Sequence, residues 1–243
     1  MKILGVSLGT KNGNNDTMCR VALEAAKAKG AEIEFIHLLD WDIQYCSGCV
    51  ACSRGLVMGK GMICSRQDDF KAFYEKVIEA DGVLFVDPIF ESGATGLYHS
   101  ITDRMGPGHD TGMMKMLDGK LKEAGKEGLN PRYFRQKALS FVGIGGSDWA
   151  VRCETDHAMF ALSPGWKVVN NEFFSWCKDV IMQDDKIERM QQIGRNLVEA
   201  AKEVMEDNAK MQIPVAENNK SYWKGKEGAC PHCQGNNFYI YPG

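Results

Sequence analysis

Residues 2–17, KILGVSLGTKNGNNDT, pass from an apolar run through small, hydroxyl and amide residues to an aspartate. The first six read as a strand buried on both faces, because the residues between Lys2 and Ser7 are apolar or glycine without alternation. From Asp16 to Lys29, Val21, Ala22, Ala25 and Ala26 recur at helical spacing until Gly30 stops the run. Strand, polar loop and helix open a β-α-β unit, and Asn15 or Asp16 is placed to cap the helix.

The same alternation continues along the chain. Residues 32–38 (EIEFIHL), 82–88 (GVLFVDP), 138–144 (ALSFVGI) and 166–173 (WKVVNNEF) read as further strands. Between them a helix is expected over residues 68–80, with Phe70, Phe73, Tyr74 and Val77 on one side, another from near Thr95, and a long final one over residues 186–208. Apolar strands separated by helices predict an α/β fold, a parallel sheet covered on both faces. Two stretches break the rhythm. Residues 106–136, rich in glycine and charge, read as an insertion with a helix near residues 113–124, suited to a lid or an oligomer contact. The main domain is expected over residues 1–212, and residues 213–243 form a separate tail.

The chain has 243 residues, 44% hydrophobic and 25% charged, enough for one large core. Its formal charge of -3 and the lack of long like-charge runs argue against nucleic acid or an anionic membrane as partner. The apolar start is too short for a signal peptide and no stretch matches a membrane span, so a cytoplasmic protein is expected. In that compartment nine cysteines read as thiols or metal ligands rather than disulfides.

Ligands of open parallel sheets sit beyond the carboxyl ends of the strands. After the first strand, helix-start amides together with Ser7, Asn14, Asn15 and Thr17 suit a phosphate, while the absence of G-x-G-x-x-G and of a Walker lysine disfavours dinucleotides and nucleoside triphosphates. An ordinary polar turn is the alternative. After the third strand, Pro88 and Phe90 offer an apolar wall, and Ser92, Gly93, Ala94 and Thr95 let backbone amides approach. Gly145 and Gly146 do the same after the fourth. Together these loops make one cleft with a phosphate end and a flat end.

Cys46, Cys49, Cys52 and Cys64 form C-x2-C-x2-C-x11-C. The close triplet is like iron-sulfur sequences, a four-thiolate zinc site is chemically open, and free thiols are the third reading. Cys230 and Cys233, in CPHC, supply half a zinc site that a symmetric partner chain would complete, or a redox dithiol. Cys19, Cys153 and Cys177 read as small buried residues, and His99, His109 and His157 as structural histidines. Asp103 and Arg104 are expected to pair locally. No Ser-His-Asp order, H-E-x-x-H or paired catalytic carboxylates stand out, which argues against hydrolysis and leaves catalytic residues unassigned.

The order KILGVS-x-G-x-KNGNNDT, the cysteine run followed by Asp68 and Asp69, ADGVLFVDPIF-x-SGATG and then Asp103-Arg104 resembles the NADPH-dependent FMN reductase group of flavodoxin-like proteins, and within it the iron-sulfur flavoproteins, over roughly residues 1–205. The resemblance implies a five-stranded sheet of order 2-1-3-4-5, FMN at the strand ends, and a homodimer or homotetramer. It implies that Ser7, Asn14, Asn15 and Thr17 hold the phosphate, that Pro88, Ile89, Phe90, Glu91, Ser92 and Gly93 line the isoalloxazine, and that Gly145 and Gly146 close its far side. The first loop departs from the family's Ser-x-Arg, leaving Lys11 as the nearest positive charge, and Phe90 and Glu91 are unusual beside a flavin. The implied function is an FMN-dependent oxidoreductase with a [4Fe-4S] cluster on Cys46, Cys49, Cys52 and Cys64 and zinc as a further candidate at the tail. It would pass electrons from a ferredoxin-like donor or NAD(P)H to a small acceptor. A nonenzymatic electron carrier and a cluster-free NAD(P)H:quinone or flavin reductase with structural zinc are the alternatives.

Overall fold

The computed structural model describes residues 1–61, 64–105 and 109–209. Five strands, β1 (Lys2–Ser7), β2 (Glu32–His37), β3 (Gly82–Pro88), β4 (Ala138–Ile144) and β5 (Lys167–Phe174), form one parallel sheet of order β2-β1-β3-β4-β5. The order reverses between β1 and β3, the point at which loops diverge and open a crevice. The expected strands and sheet order are thus the observed ones.

Alternate side chains of each strand enter opposite cores, the period-2 consequence of the pleat. Ile3, Leu84, Val86 and Val142 face helices α1 (Asn14–Ala28) and α7 (Asp184–Ala209), where Met18, Leu23, Ile193 and Leu197 complete a core. Leu4, Val83, Phe85 and Phe141 face α3 (Phe70–Glu79), α4 (Gly96–Met105) and α6 (Cys153–Leu162), meeting Phe70, Phe73, Tyr98 and Phe160. Burial on both faces explains why the strands read as continuous apolar runs.

A third, small cluster joins the cysteine segment to the insertion. Leu56 of α2 (Ala51–Val57) packs with Met114 and Leu121 of α5 (Thr111–Glu123) and with Leu129. The described part of the insertion is therefore docked on α2. The fully buried Lys137 at the start of β4 donates to the carbonyls of Ile78 and Ala80, satisfying the end of α3. Among the described residues no helix is long and apolar enough to cross a membrane. The expected tail, with Cys230 and Cys233, lies outside the described residues.

Candidate functional site: a cleft at the switch point

A cleft of about 610 Å³ opens beyond the carboxyl ends of β1 and β3. Leu8, Gly9, Thr10, Gly13, Asn14 and Asn15 line one side, and Pro88, Phe90, Thr95 and Leu97 line another. Leu39 comes from the end of β2, and Lys178 from the loop after β5.

The polar side is made by the start of α1. Its N-cap is Gly13 with no side-chain cap, so the amides of the first turn lack intrahelical partners. The expected caps do other work. Asp16 lies within the first turn, where Oδ2 accepts the Asn12 backbone amide at 2.7 Å and Oδ1 receives the Ser7 hydroxyl at 2.5 Å and His37 Nδ1 at 2.9 Å. Burial pushes this carboxyl up, but those hydrogen bonds outweigh it and hold it below the usual range. Asn15 is buried, and its Nδ2 has no partner among the described residues. A Cβ at Gly9 would stand 2.5 Å from Asn15 Oδ1, so only glycine lets the loop lie this close to that amide.

The resemblance-implied donors thus separate. Asn14 and Asn15 line the cleft, and Asn14 Nδ2 also donates to the carbonyls of Cys177 and Lys178 at 2.7 and 2.9 Å, tying α1 to the β5 loop. Ser7 is fully buried and faces Asp16, and Thr17 donates back to the Gly13 carbonyl at 3.0 Å. Lys11 pairs with Asp40 on the surface at 2.8 Å. Lys178 is the cation among the described lining residues, a role that sequence reading misses because no local motif surrounds it.

The apolar side rests on an unusual turn. Phe90 and Gly93 exchange backbone hydrogen bonds at 3.2 and 3.1 Å, closing a two-residue turn over Glu91 and Ser92 with φ of 47° and 67°. Paired positive φ belongs to the primed hairpin turns, and outside Gly, Asn and Asp it costs about 1–2 kcal/mol per residue. Phe90 is 63% exposed, its ring free to cover a ligand. Ile89 donates its amide to the Ile144 carbonyl at 3.1 Å, anchoring the loop to β4. Gly145 extends the β4–β5 ladder by donating to the Phe174 carbonyl at 2.9 Å, and an added Cβ at Gly146 would lie 3.9 Å from the Lys178 side chain; neither glycine is among the residues that line the cleft.

The cysteine segment follows β2. Cys46 and Cys49 are exposed, Cys52 lies in α2, and Cys64 accepts a hydrogen bond from Arg104 Nη2 at 3.1 Å. Arg104 pairs with the buried Asp68, not with its neighbour Asp103, and donates to the Gln44 carbonyl at 2.9 Å, so one guanidinium holds both ends of the segment. Ser65 Oγ lies 3.1 Å from Cys49 Sγ and, first among the hydrogen bonds to that sulfur, lowers its thiol to about 7. Among the described residues no group of three or more Cys, His, Asp or Glu side chains is arranged to hold a metal, so the four thiols as placed do not fit a cluster.

A doubly wound parallel sheet of order β2-β1-β3-β4-β5, with an open helix start and an apolar wall at its switch point, defines a flavodoxin-like fold. The chain belongs to the NADPH-dependent FMN reductase family of flavin-dependent oxidoreductases, whose model matches residues 1–179. It is 29% identical over 150 residues to an iron-sulfur flavoprotein of Archaeoglobus fulgidus, a match covering 62% of this chain and 64% of that one. A flavone synthase of Aspergillus candidus is 26% identical over 247 residues, covering 96% of this chain and 71% of the relative. The structure of a flavone reductase superposes with a TM-score of 0.80 at 39% identity, covering 99% of this chain and 72% of that one. The chain thus spans less than two thirds of the iron-sulfur relative and nearly three quarters of the flavone reductase.

Proposed function

We propose that the chain is an FMN-dependent oxidoreductase that takes reducing equivalents from NAD(P)H and delivers them to a planar, conjugated small molecule of the flavone type. The observation that carries this reading is the cleft, with the unpartnered Asn15 amide at one end and the Pro88–Phe90 wall at the other. Asn15, Thr10 and the first-turn amides of α1 hold the phosphate, and Lys178 supplies the countercharge first expected of Lys11. Ser7 and Thr17 support the loop from behind. Residues Pro88 to Gly93 flank the ring, with Gly145 and Gly146 beyond it. When bound, FMN supplies one- and two-electron transfer, and the protein binds and aims it. The 39% identity to a flavone reductase supports the acceptor class. An exposed Phe90 suits stacking on a flat acceptor, and the exposed Glu91 next to it suits a hydroxyl-bearing one.

A second reading adds a [4Fe-4S] cluster on Cys46, Cys49, Cys52 and Cys64 fed by a ferredoxin-like donor. The spacing and the names of the iron-sulfur relatives favour it, but among the described residues no three metal-ligating side chains gather. Zinc on the same thiols, or on a partner-completed Cys230 and Cys233 pair in a homodimer or homotetramer, is its competitor.

The test is anaerobic purification followed by flavin, iron, sulfide and zinc analysis, and NAD(P)H oxidation with flavone, quinone and nitroaromatic acceptors. About one FMN per chain with flavone-dependent turnover is expected. Absence of flavin after reconstitution would sink the reading, and turnover seen only with a partner protein would make the chain an electron carrier. Iron with matching sulfide would establish the second reading.

A further inference from the structure

The turn that walls the ring end of the cleft is held from behind by two elements. Arg152, just before α6, donates its backbone amide to the Ser92 carbonyl at 2.9 Å, and Asp156 Oδ2 accepts the Ala94 amide at 3.1 Å. Thr95, which lines the cleft, gives its amide to Asp87 Oδ2 at 2.9 Å and its hydroxyl to Asp87 Oδ1 at 2.7 Å. Asp87 is fully buried one residue before the end of β3, with His157 Nε2 at 3.3 Å from Oδ2.

His157 is also fully buried and is fixed on every side. Its ring stacks on Phe141 at 5.6 Å and 17°, its Nδ1 faces Cys153 Sγ at 3.6 Å, and its carbonyl accepts the Tyr98 hydroxyl at 2.7 Å. A carboxyl group buried this deeply needs hydrogen-bond partners, and His157 is the one that is not part of the loop itself. Arg152, Cys153, Asp156 and His157 fall on one face of α6, at offsets of one, four and five residues, directly behind the turn.

We propose that Asp87 and His157 are positioning residues of the flavin site: the α6 imidazole orients the Asp87 carboxylate, which clamps Thr95 and, with Asp156, locks the left-handed Glu91–Ser92 turn against the ring. This rests on the FMN reading above. Neither residue faces the cleft. Their effect is on the geometry and electronic surroundings of the ring.

The clamp is tested in the full chain with Asp87→Asn, His157→Phe and His157→Gln, measuring FMN affinity, the midpoint potential of bound FMN, and amide hydrogen exchange over residues 88–96. Asp87→Asn and His157→Phe should each weaken FMN about tenfold, the loss of roughly one charge-assisted hydrogen bond. They should shift the potential and speed exchange at Ala94 and Thr95 about tenfold. His157→Gln, which keeps a donor toward Asp87, should recover most of each change. Thr95→Val and Thr95→Ser form a milder pair in case the first set does not fold: the valine variant should show the shift and the serine variant should not. Folded variants with parental exchange, affinity and potential would overturn the clamp. Hydrogen exchange needs no ligand, so a wild type that binds no FMN would end the FMN reading while leaving the clamp to stand or fall on exchange alone.

Discussion

Asn15 lines the cleft and carries a buried amide nitrogen that no described group satisfies, and truncating it separates stability from binding. Asn15→Ala removes no hydrogen bond of that nitrogen, so the melting midpoint of the ligand-free protein should stay within about 3 °C of the parent. The same change takes a donor from an ionised phosphate, worth about 1.5–3 kcal/mol, so FMN affinity should fall roughly ten- to a hundredfold by fluorescence titration. Ser7→Ala should do the reverse, because its hydroxyl serves the buried Asp16: the midpoint drops by several degrees and affinity changes little. Exchanged outcomes would return the phosphate to Ser7. The loop was legible in the sequence because small and amide residues between a buried strand and a helix suit little else. Which side chains turn outward was not, since it depends on how β1 ends and how α1 starts. Lys178 lay too far along the chain to be read with that loop, and the left-handed turn was hidden because neither Glu91 nor Ser92 is a residue that favours it.

Among the elements, those with a strong period were the legible ones. Each expected strand appears within a residue of its bounds, and the expected helices 68–80 and 186–208 appear as Phe70–Glu79 and Asp184–Ala209. Helix α2 was missed: it has seven residues, no side-chain cap, and Val50 before it at φ 52°, and it depends on packing against α5 rather than on propensity. Where α4 meets the insertion, His109 gives its Nδ1 proton to the Met105 carbonyl at 2.7 Å and sits edge-on to Tyr74 and Trp166. Burial pushes it down to about 4. The folded chain therefore keeps it neutral while the unfolded chain takes up a proton near pH 6.5, so between pH 6.5 and 4 the unfolded state binds more protons and stability falls as the pH falls. The loss should reach on the order of 3 kcal/mol at pH 4. In urea titrations from pH 7 to 4, His109→Phe should remove that part of the slope, whatever the paired carboxylates contribute to both proteins. Parallel slopes for parent and variant would mean that the histidine is solvated or protonated in place.

At the scale of the whole molecule, every strand among the described residues, both major cores and the cleft lining lie between Lys2 and Ala209. Among the described residues the last buried core side chain is Val204, on the α7 face that packs on α1. The sheet order needed more than periodicity to anticipate: apolar runs show that strands are parallel and buried, but where the chain reverses is set by which crossovers pack, and the family resemblance supplied that order. The boundary expected near residue 212 from the sequence is put to the test by truncation: if residues 213–243 are a separate unit, the sheet and its cores stand without them. A chain ended at Gln212 should therefore bind about one FMN and melt within about 3 °C of the full chain. Its oligomer size and range of acceptors are the properties free to change, because Cys230 and Cys233 would be lost and with them any thiolate pairing between subunits. Flavin-to-protein ratio, light scattering and the acceptor panel read the three separately. Loss of flavin or a large drop in melting midpoint would show that residues 213–243 belong to the domain, and unchanged size with unchanged acceptor range would show that the second cysteine pair has no part in assembly or turnover.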